Sequence, residues 1–390
     1  MEVGIRLDTS ERSESFVLRG RNGTRMRLSP IAYYLLESGR AGHSQEEIAA
    51  GLAELTGQPV SVPDAEDAYR QLEARVRSIE DRSVAAPSGF WLAVPVIPES
   101  YVVPVARVVA YLFHPAVACV LIALAAVVAG LALVGGRTPA PGSEFLAAYG
   151  LFFLSLIVHE FGHAGACARG GGRPSAIGFG IYLAFPVLFS NVTAAWEMRR
   201  WQRVVVDLGG IYLQGIVGAG YLAAALSTGS RTLVLAAALV GFSCLLSLNP
   251  FFKFDGYWAI GDALGVVNLG RQRRRLLVYW RERLAGRRPP ELPWPPTVSA
   301  FVAAYLAIAT ATWVAFLVFV IPALARRALA YPALVGADAP GLLGPAHSLP
   351  AGGAQSLLVG GLVVIGLGTL VMRFSVATVK TLVRICARSS

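Results

Sequence analysis

Long apolar runs and a shorter polar region divide the chain into two parts. The second part, residues 86–390, holds six runs near the length of about 20 apolar residues that a helix needs to cross a bilayer. These runs are residues 108–134, 145–167, 204–226, 232–249, 298–324 and 356–372. The pattern predicts an α-helical integral membrane protein with about six transmembrane helices.

Residues 1–85 have the alternating and helical patterns of a small soluble domain. Two short strand candidates, residues 15–19 and 24–28, flank the hairpin signal Asn22-Gly23. Helix starts are indicated by proline, capping and acidic signals at Ser29-Pro30, at Ser44 with Glu47, and at Asp64. A hairpin with three helices favours a winged-helix-like α+β domain. A featureless cytoplasmic cap is the alternative.

The charge distribution predicts the orientation of the chain. The net charge is +10, and 15% of the residues are charged. Arginine is concentrated in residues 169–203, 271–288 and 373–388, and such loops usually stay in the cytoplasm. We therefore expect a multi-pass protein of the cell membrane with both termini cytoplasmic. The basic stretch 271–288 is expected to face lipid headgroups, and no stacking platform indicates a nucleic-acid partner.

One apolar segment is too irregular to be a span. Residues 176–192 are interrupted by Gly178, Gly180 and Pro186. We expect a re-entrant strand or hairpin here, which at membrane depth must lie against protein or a wet cavity.

The sequence His159-Glu160-Phe161-Gly162-His163 stands inside the second apolar run. Histidines four residues apart project from one face of a helix and can bind one zinc ion, with Glu160 beside it. Ionisable residues are costly in a membrane-spanning stretch, which favours a functional role. A chance match on a buried helix is the alternative.

A catalytic zinc site uses three protein ligands and one water. Of the other histidines, His43 belongs to the soluble domain, His347 to an outer loop, and His114 is interpreted as a helix-kink or interface residue. The third ligand is therefore expected to be a carboxylate. The best candidate is Asp255, which follows the fourth run on the side where the second run ends. The alternative for Asp255 is a turn residue before Gly256.

Two motifs together resemble those of the site-2 protease family of intramembrane zinc metalloproteases. The first is the His-Glu-x-x-His motif, and the second is Asn-Pro-x-x-x-x-Asp-Gly at residues 249–256. They cover the core of the chain, about residues 145–262. Residues 209–214 match a third family motif, Gly-Pro-x-x-Asn, only in part, and Phe252 stands where the family often has proline.

The resemblance implies a role for each matching residue. His159, His163 and Asp255 would be zinc ligands, and Glu160 would be the catalytic base. Asn249 would help to hold the substrate or the tetrahedral oxygen, with a helix C-cap as the alternative.

Two polar residues of the third run bear on the same site. Asp207 and Gln214 would either support the zinc ligands or form structural hydrogen bonds between helices.

The expected function is that of a membrane-embedded zinc endopeptidase cleaving a peptide or small membrane protein near the cytoplasmic face. Lys253 and Tyr257-Trp258 look like a subgroup found with peptide-maturation systems. The N-terminal domain is similar to the element that binds leader peptides of ribosomally made, modified peptides. The expected partners are this substrate, the bilayer, and peptide-biosynthesis or export proteins. The alternatives are a regulatory site-2 protease that releases a membrane-tethered factor, and a non-catalytic zinc-containing scaffold or exporter subunit.

Overall fold

The structure is a computed structural model. It describes residues 5–7, 16–19, 25–80, 90–136, 145–182, 185–266, 268–290, 292, 294–342, 360–361 and 364. Most of the sixth expected span, 356–372, lies outside these residues.

The N-terminal part contains the predicted hairpin and three helices. The hairpin strands are β2 (Phe16–Arg19) and β3 (Arg25–Leu28), and a further strand, β1 (Ile5–Leu7), pairs with β2 on its other side. The helices are α1 (Pro30–Ala41), α2 (Gln45–Thr56) and α3 (Val62–Glu80). The winged-helix type of this domain stays a prediction.

Local signals explain where these helices begin. Ser44 accepts a hydrogen bond from the Glu47 amide at 3.2 Å, and the Glu47 carboxylate accepts one from the Ser44 amide at 2.8 Å. This reciprocal pair satisfies two amide groups that the first turn leaves without helical partners. The third helix begins at Val62, two residues before the predicted start at Asp64, because Ser61 caps it by accepting from the Asp64 amide.

Four helical segments are long and apolar enough to cross a membrane, which fits a helical membrane protein. They are α5 (Pro115–Val134), α6 (Phe145–Arg169), α7 (Arg200–Thr228) and the continuous segment Pro296–Ala333. That last segment comprises α11 (Pro296–Ala315), a π-helical turn (Phe316–Val320) and the first part of α12 (Ile321–Leu342). The fourth predicted run forms α8 (Arg231–Ser247), which is shorter than a typical span. The count of six spans is therefore not confirmed.

The first predicted span, 108–134, is wrong at its N-terminal end. A separate helix, α4 (Glu99–Val109), is followed by a 3-10 turn (Ala110–Phe113), and α5 begins only at Pro115. His114 between them has an extended backbone, as expected for a residue before proline. Of the two interpretations of His114, a helix kink or an interface residue, the structure supports a break in the helix.

The segment 176–192 forms the expected hairpin. Strands β5 (Ile177–Tyr182) and β6 (Phe185–Ser190) pair antiparallel, with Gly178 opposite Phe189. The chain before α4 supplies strand β4 (Phe90–Ile97), which pairs with β5 and makes a three-stranded sheet in the order β4-β5-β6. Strand β6 packs against α6 and is an outer strand of this sheet.

Helices α6 and α7 pack closely, and two short helices, α9 (Asp255–Leu264) and α10 (Arg273–Leu284), follow α8. The backbones of α6 and α7 come nearest where Gly162 faces Gly209. The C-terminal end of α6, the N-terminal end of α7 and the start of α9 meet in this region, which brings the two predicted motifs together.

Candidate metal centre

The two histidines of α6 lie side by side in the protein interior. His159 and His163 are 7% and 8% exposed, and their Nε2 atoms are 3.1 Å apart. Helical spacing alone places them on one face. The two buried imidazoles, with their Nε2 atoms facing each other, form one polar site inside the protein.

Asp255, the first residue of α9, completes the group. Its Oδ2 is 3.1 Å from Nε2 of His159, and its Oδ1 is 3.5 Å from Nε2 of His163. Among the described residues, these three are the only group of histidine, cysteine and carboxylate side chains arranged to hold a metal ion. The expected ligand set is thus brought together.

The loop that presents Asp255 is held on both sides. Tyr305 of α11 donates a hydrogen bond to the carbonyl of Pro250 at 2.7 Å. Gly256 lies so close to the carbonyl of Leu248 that a Cβ atom would overlap it. Glycine at position 256 therefore allows α8 and α9 to approach each other closely, in addition to any role of the Asp255-Gly256 pair in a turn.

The geometry fits a zinc ion. Ligand atoms in a tetrahedral site with bonds of about 2.0–2.2 Å lie roughly 3.4 Å apart. The two Nε2 atoms are 3.1 Å apart, as are Nε2 of His159 and Oδ2 of Asp255. Asp255 Oδ2 is buried, with no hydrogen-bond donor among the described residues. An ionised carboxylate and two imidazole nitrogens are a suitable donor set for Zn²⁺.

Hydrogen bonds to Nδ1 fix the orientation of both imidazoles. Nδ1 of His163 is 2.8 Å from the carbonyl of Val206, which can only accept, so this nitrogen carries the proton. Nδ1 of His159 is 3.0 Å from Oε1 of Gln214, whose Nε2 donates to Ser155 at 3.1 Å. Both histidines therefore present the lone pair of Nε2 to the candidate metal position.

A glycine on α7 makes room for the two rings. A Cβ atom on Gly210 would lie 2.5 Å from Nε2 of both His159 and His163. Any side chain here would fill the space between the ligand atoms. Val206, Gly210 and Gln214 follow one another by four residues, so they form one stripe of α7 that faces the histidines.

Glu160 is placed in α6 between the two histidines and is 7% exposed. Its position one residue after His159 turns it about 100° around the helix from that ligand. It does not belong to the group of three candidate ligands, and its role as the catalytic base stays a prediction.

Asn249 has a clear structural role. Its Oδ1 accepts a hydrogen bond from the amide of Phe251 at 2.9 Å, which stabilises the turn between α8 and α9. This bond supports the capping alternative and leaves the Nδ2 donor group for a second role. The catalytic role of Asn249 stays a prediction.

Asp207 contacts a carboxylate that sequence reasoning missed. Its carboxyl lies beside that of Asp262 of α9. Asp262 also forms an ion pair with Arg203 of α7, with Nε and Oδ1 3.0 Å apart. Asp207 therefore belongs to the α7–α9 contact. The sequence did carry a signal that one face of α7 makes a polar contact. Inside this apolar run, polar residues and glycine recur at helical spacing, at Arg203, Asp207, Gly210 and Gln214.

The remaining histidines do not contribute. His43 is exposed on the N-terminal domain, His114 is exposed before α5, and His347 lies outside the described residues.

Comparisons with protein-family models, with curated proteins and with solved structures found no match to this chain.

Proposed function

We propose that the chain is a membrane-embedded zinc endopeptidase. The observation that carries the proposal is the meeting of His159, His163 and Asp255 at ligand distances, with Glu160 next to them on α6. A zinc ion bound there would supply a Lewis acid that activates water and polarises a peptide carbonyl. A Lewis acid with a base beside it is a common arrangement for zinc-dependent hydrolysis of a peptide bond.

The protein side chains divide the remaining work. Glu160 accepts a proton from water while the water oxygen attacks the carbonyl carbon of the peptide bond. Glu160 then passes that proton to the leaving amine as the C–N bond breaks. Gln214 and the Val206 carbonyl hold the two imidazoles in orientation. Gly210 keeps the space between the imidazoles open. The Nδ2 group of Asn249 would hold the substrate or its tetrahedral oxygen.

The presence of Glu160 as a candidate base favours an enzyme over a scaffold or exporter subunit that binds zinc only for structure. A structural site needs only ligands and is usually closed by a fourth one. Here three ligand atoms come together among the described residues, and a buried carboxylate stands beside them without belonging to the set.

The substrate proposed is a peptide or small membrane protein cut near the cytoplasmic face. A helical substrate hides its carbonyls, so the cleaved segment must be extended. Strand β6, an outer strand that packs on α6, would pair with such a segment through backbone hydrogen bonds. Release of a membrane-tethered regulatory factor would use the same geometry.

Maturation of a ribosomally made peptide is the process we favour. The N-terminal domain contacts the membrane part, since Arg25 of β3 forms an ion pair with Glu197. A tethered recognition domain raises the local concentration of its substrate.

With zinc in excess, removal of residues 1–85 should raise KM for a full precursor more than for a short peptide that spans only the cleavage site. An equal loss for both would assign the domain to the fold instead.

Peptide cleavage by the purified chain tests the proposal. The probe is a library of quenched fluorescent peptides of unstructured sequence, added to the protein in proteoliposomes. We expect zinc-dependent cleavage that Glu160→Gln lowers by a factor of about 10²–10⁴, the usual contribution of a general base, while zinc content is retained. Glu54→Gln, at an exposed glutamate of α2, is the matched control. Full activity in Glu160→Gln would contradict the mechanism.

A further inference from the structure

An ion pair joins α7 to α9 beyond the metal centre. Arg203 is 1% exposed and lies with its Nε 3.0 Å from Oδ1 of Asp262. The Arg203 guanidinium also donates to the carbonyl of Met198 at 3.3 Å. A buried guanidinium held in this way fixes the distance between the two helices at this point, because removing either charge leaves the other buried without its counterion.

The same two helix faces carry the metal centre. On α9, Asp262 follows Asp255 by seven residues, which is about two turns, so both project from one side. On α7, Val206 and Gly210 follow Arg203 by three and seven residues and face the two histidines. One contact between α7 and α9 thus has the Arg203–Asp262 pair at one end and Asp255 with the histidines at the other.

A second arginine reaches this contact from the N-terminal domain. Strand β3 lies on the 3-10 turn Thr193–Glu197, where the Arg27 guanidinium sits 5.4 Å from the ring centre of Trp196. Burial raises the pKa of the Asp262 carboxyl above its usual value, and the nearby charges of Arg203 and Arg27 oppose this rise. The carboxylate is therefore under the influence of one cation from the membrane part and one from the N-terminal domain.

We propose that Asp262, held by Arg203 and Arg27, is a positioning residue that keeps Asp255 beside the histidines and makes zinc affinity depend on docking of strand β3. The inference rests on the zinc site of the proposed function but not on peptide cleavage. Docking of the N-terminal domain strengthens the hold on α9, and its release, for example when the domain binds a substrate, weakens it.

Zinc affinity of the full chain, measured in detergent by competition with a fluorescent zinc chelator, tests the role of the ion pair. We expect Arg203→Ala to weaken zinc binding by about 10-fold or more, the usual effect of changing a group that supports a ligand. The double variant Arg203→Ala with Asp262→Ala removes both charges. It should regain part of the lost thermal stability, since neither member of the Arg203–Asp262 pair is left buried without the other, yet still bind zinc weakly. Recovery of both properties in the double variant would overturn the positioning role.

Arg27 variants test the contribution of the N-terminal domain. We expect Arg27→Ala to weaken zinc binding less than Arg203→Ala does, and Arg27→Lys to retain most of the affinity because the charge is kept. Arg70→Ala is the matched control, since Arg70 is an exposed arginine of the same domain that pairs with Glu66 on its own helix. Equal zinc affinity in Arg27→Ala and in the control would contradict the claim that docking of strand β3 affects zinc binding. If the unmodified chain binds zinc but does not cleave peptides, only the proposed function fails.

Discussion

Gln214 of α7 accepts a hydrogen bond from Nδ1 of His159 of α6 at 3.0 Å, in a fully buried position. The amide of Gln214 cannot turn freely, because its Nε2 donates to Ser155 on α6. The oxygen is therefore directed at the imidazole, and the lone pair of His159 Nε2 faces Asp255. One polar residue in an apolar helix thus fixes both the tautomer and the direction of a candidate ligand.

Loss of this hydrogen bond should weaken the metal centre. We expect Gln214→Leu to lower zinc affinity roughly 10- to 100-fold, the usual range for such groups. The control is Tyr221→Phe, which removes another α6–α7 hydrogen bond, from Tyr221 to the carbonyl of Leu151 at 2.9 Å. Chelator competition should show unchanged affinity in the control. An equal loss in both variants would mean that helix packing, and not the orientation of His159, is affected.

Gly210 provides a steric test of the same site. We expect Gly210→Ala to abolish zinc binding, because the added methyl group would occupy the space between the two Nε2 atoms. Gly215→Ala on the same helix is the control, since a Cβ there meets no atom within 4 Å. Zinc content by mass spectrometry and thermal unfolding would be measured for both. A Gly210→Ala protein that binds zinc like the unmodified chain would place the metal elsewhere.

Much of the site could be predicted from the sequence because its signals are local. The spacing of His159 and His163 gives one face of a helix, and the interrupted segment 176–192 gives a hairpin. The exclusion of the other histidines, and a position just after the fourth apolar run, predict Asp255 as the third ligand. The capping box of Ser44 and Glu47 marked a helix start correctly for the same local reason.

Other features depend on contacts between distant parts of the chain. The carbonyl of Val206 has no sequence signal, since every residue has one. Pairing of Phe90–Ile97 with β5 joins segments about 80 residues apart, and the pattern of either strand alone does not specify its partner. The Arg203–Asp262 pair likewise required the packing of α7 on α9.

The orientation in the membrane is a separate prediction. The arginine-rich loops predict that Arg275 and the C-terminus lie in the cytoplasm. We expect reporter fusions at Arg275 and after Ser390 to read cytoplasmic, and a fusion at Pro141, between α5 and α6, to read external. An external reading at Arg275 would reverse the orientation and move the metal centre to the outer face.

The zinc site itself is tested most directly by zinc K-edge absorption spectroscopy on the purified chain, with metal content measured in parallel. We expect one zinc per chain, bound by two imidazole nitrogens and a carboxylate oxygen at about 2.0–2.2 Å, and loss of most of the zinc in Asp255→Ala. Asp67→Ala, at a carboxylate of the N-terminal domain bonded to Gln71, is the control and should keep its zinc. Absence of stoichiometric zinc in the unmodified chain, or an unchanged spectrum in Asp255→Ala, would contradict the assignment.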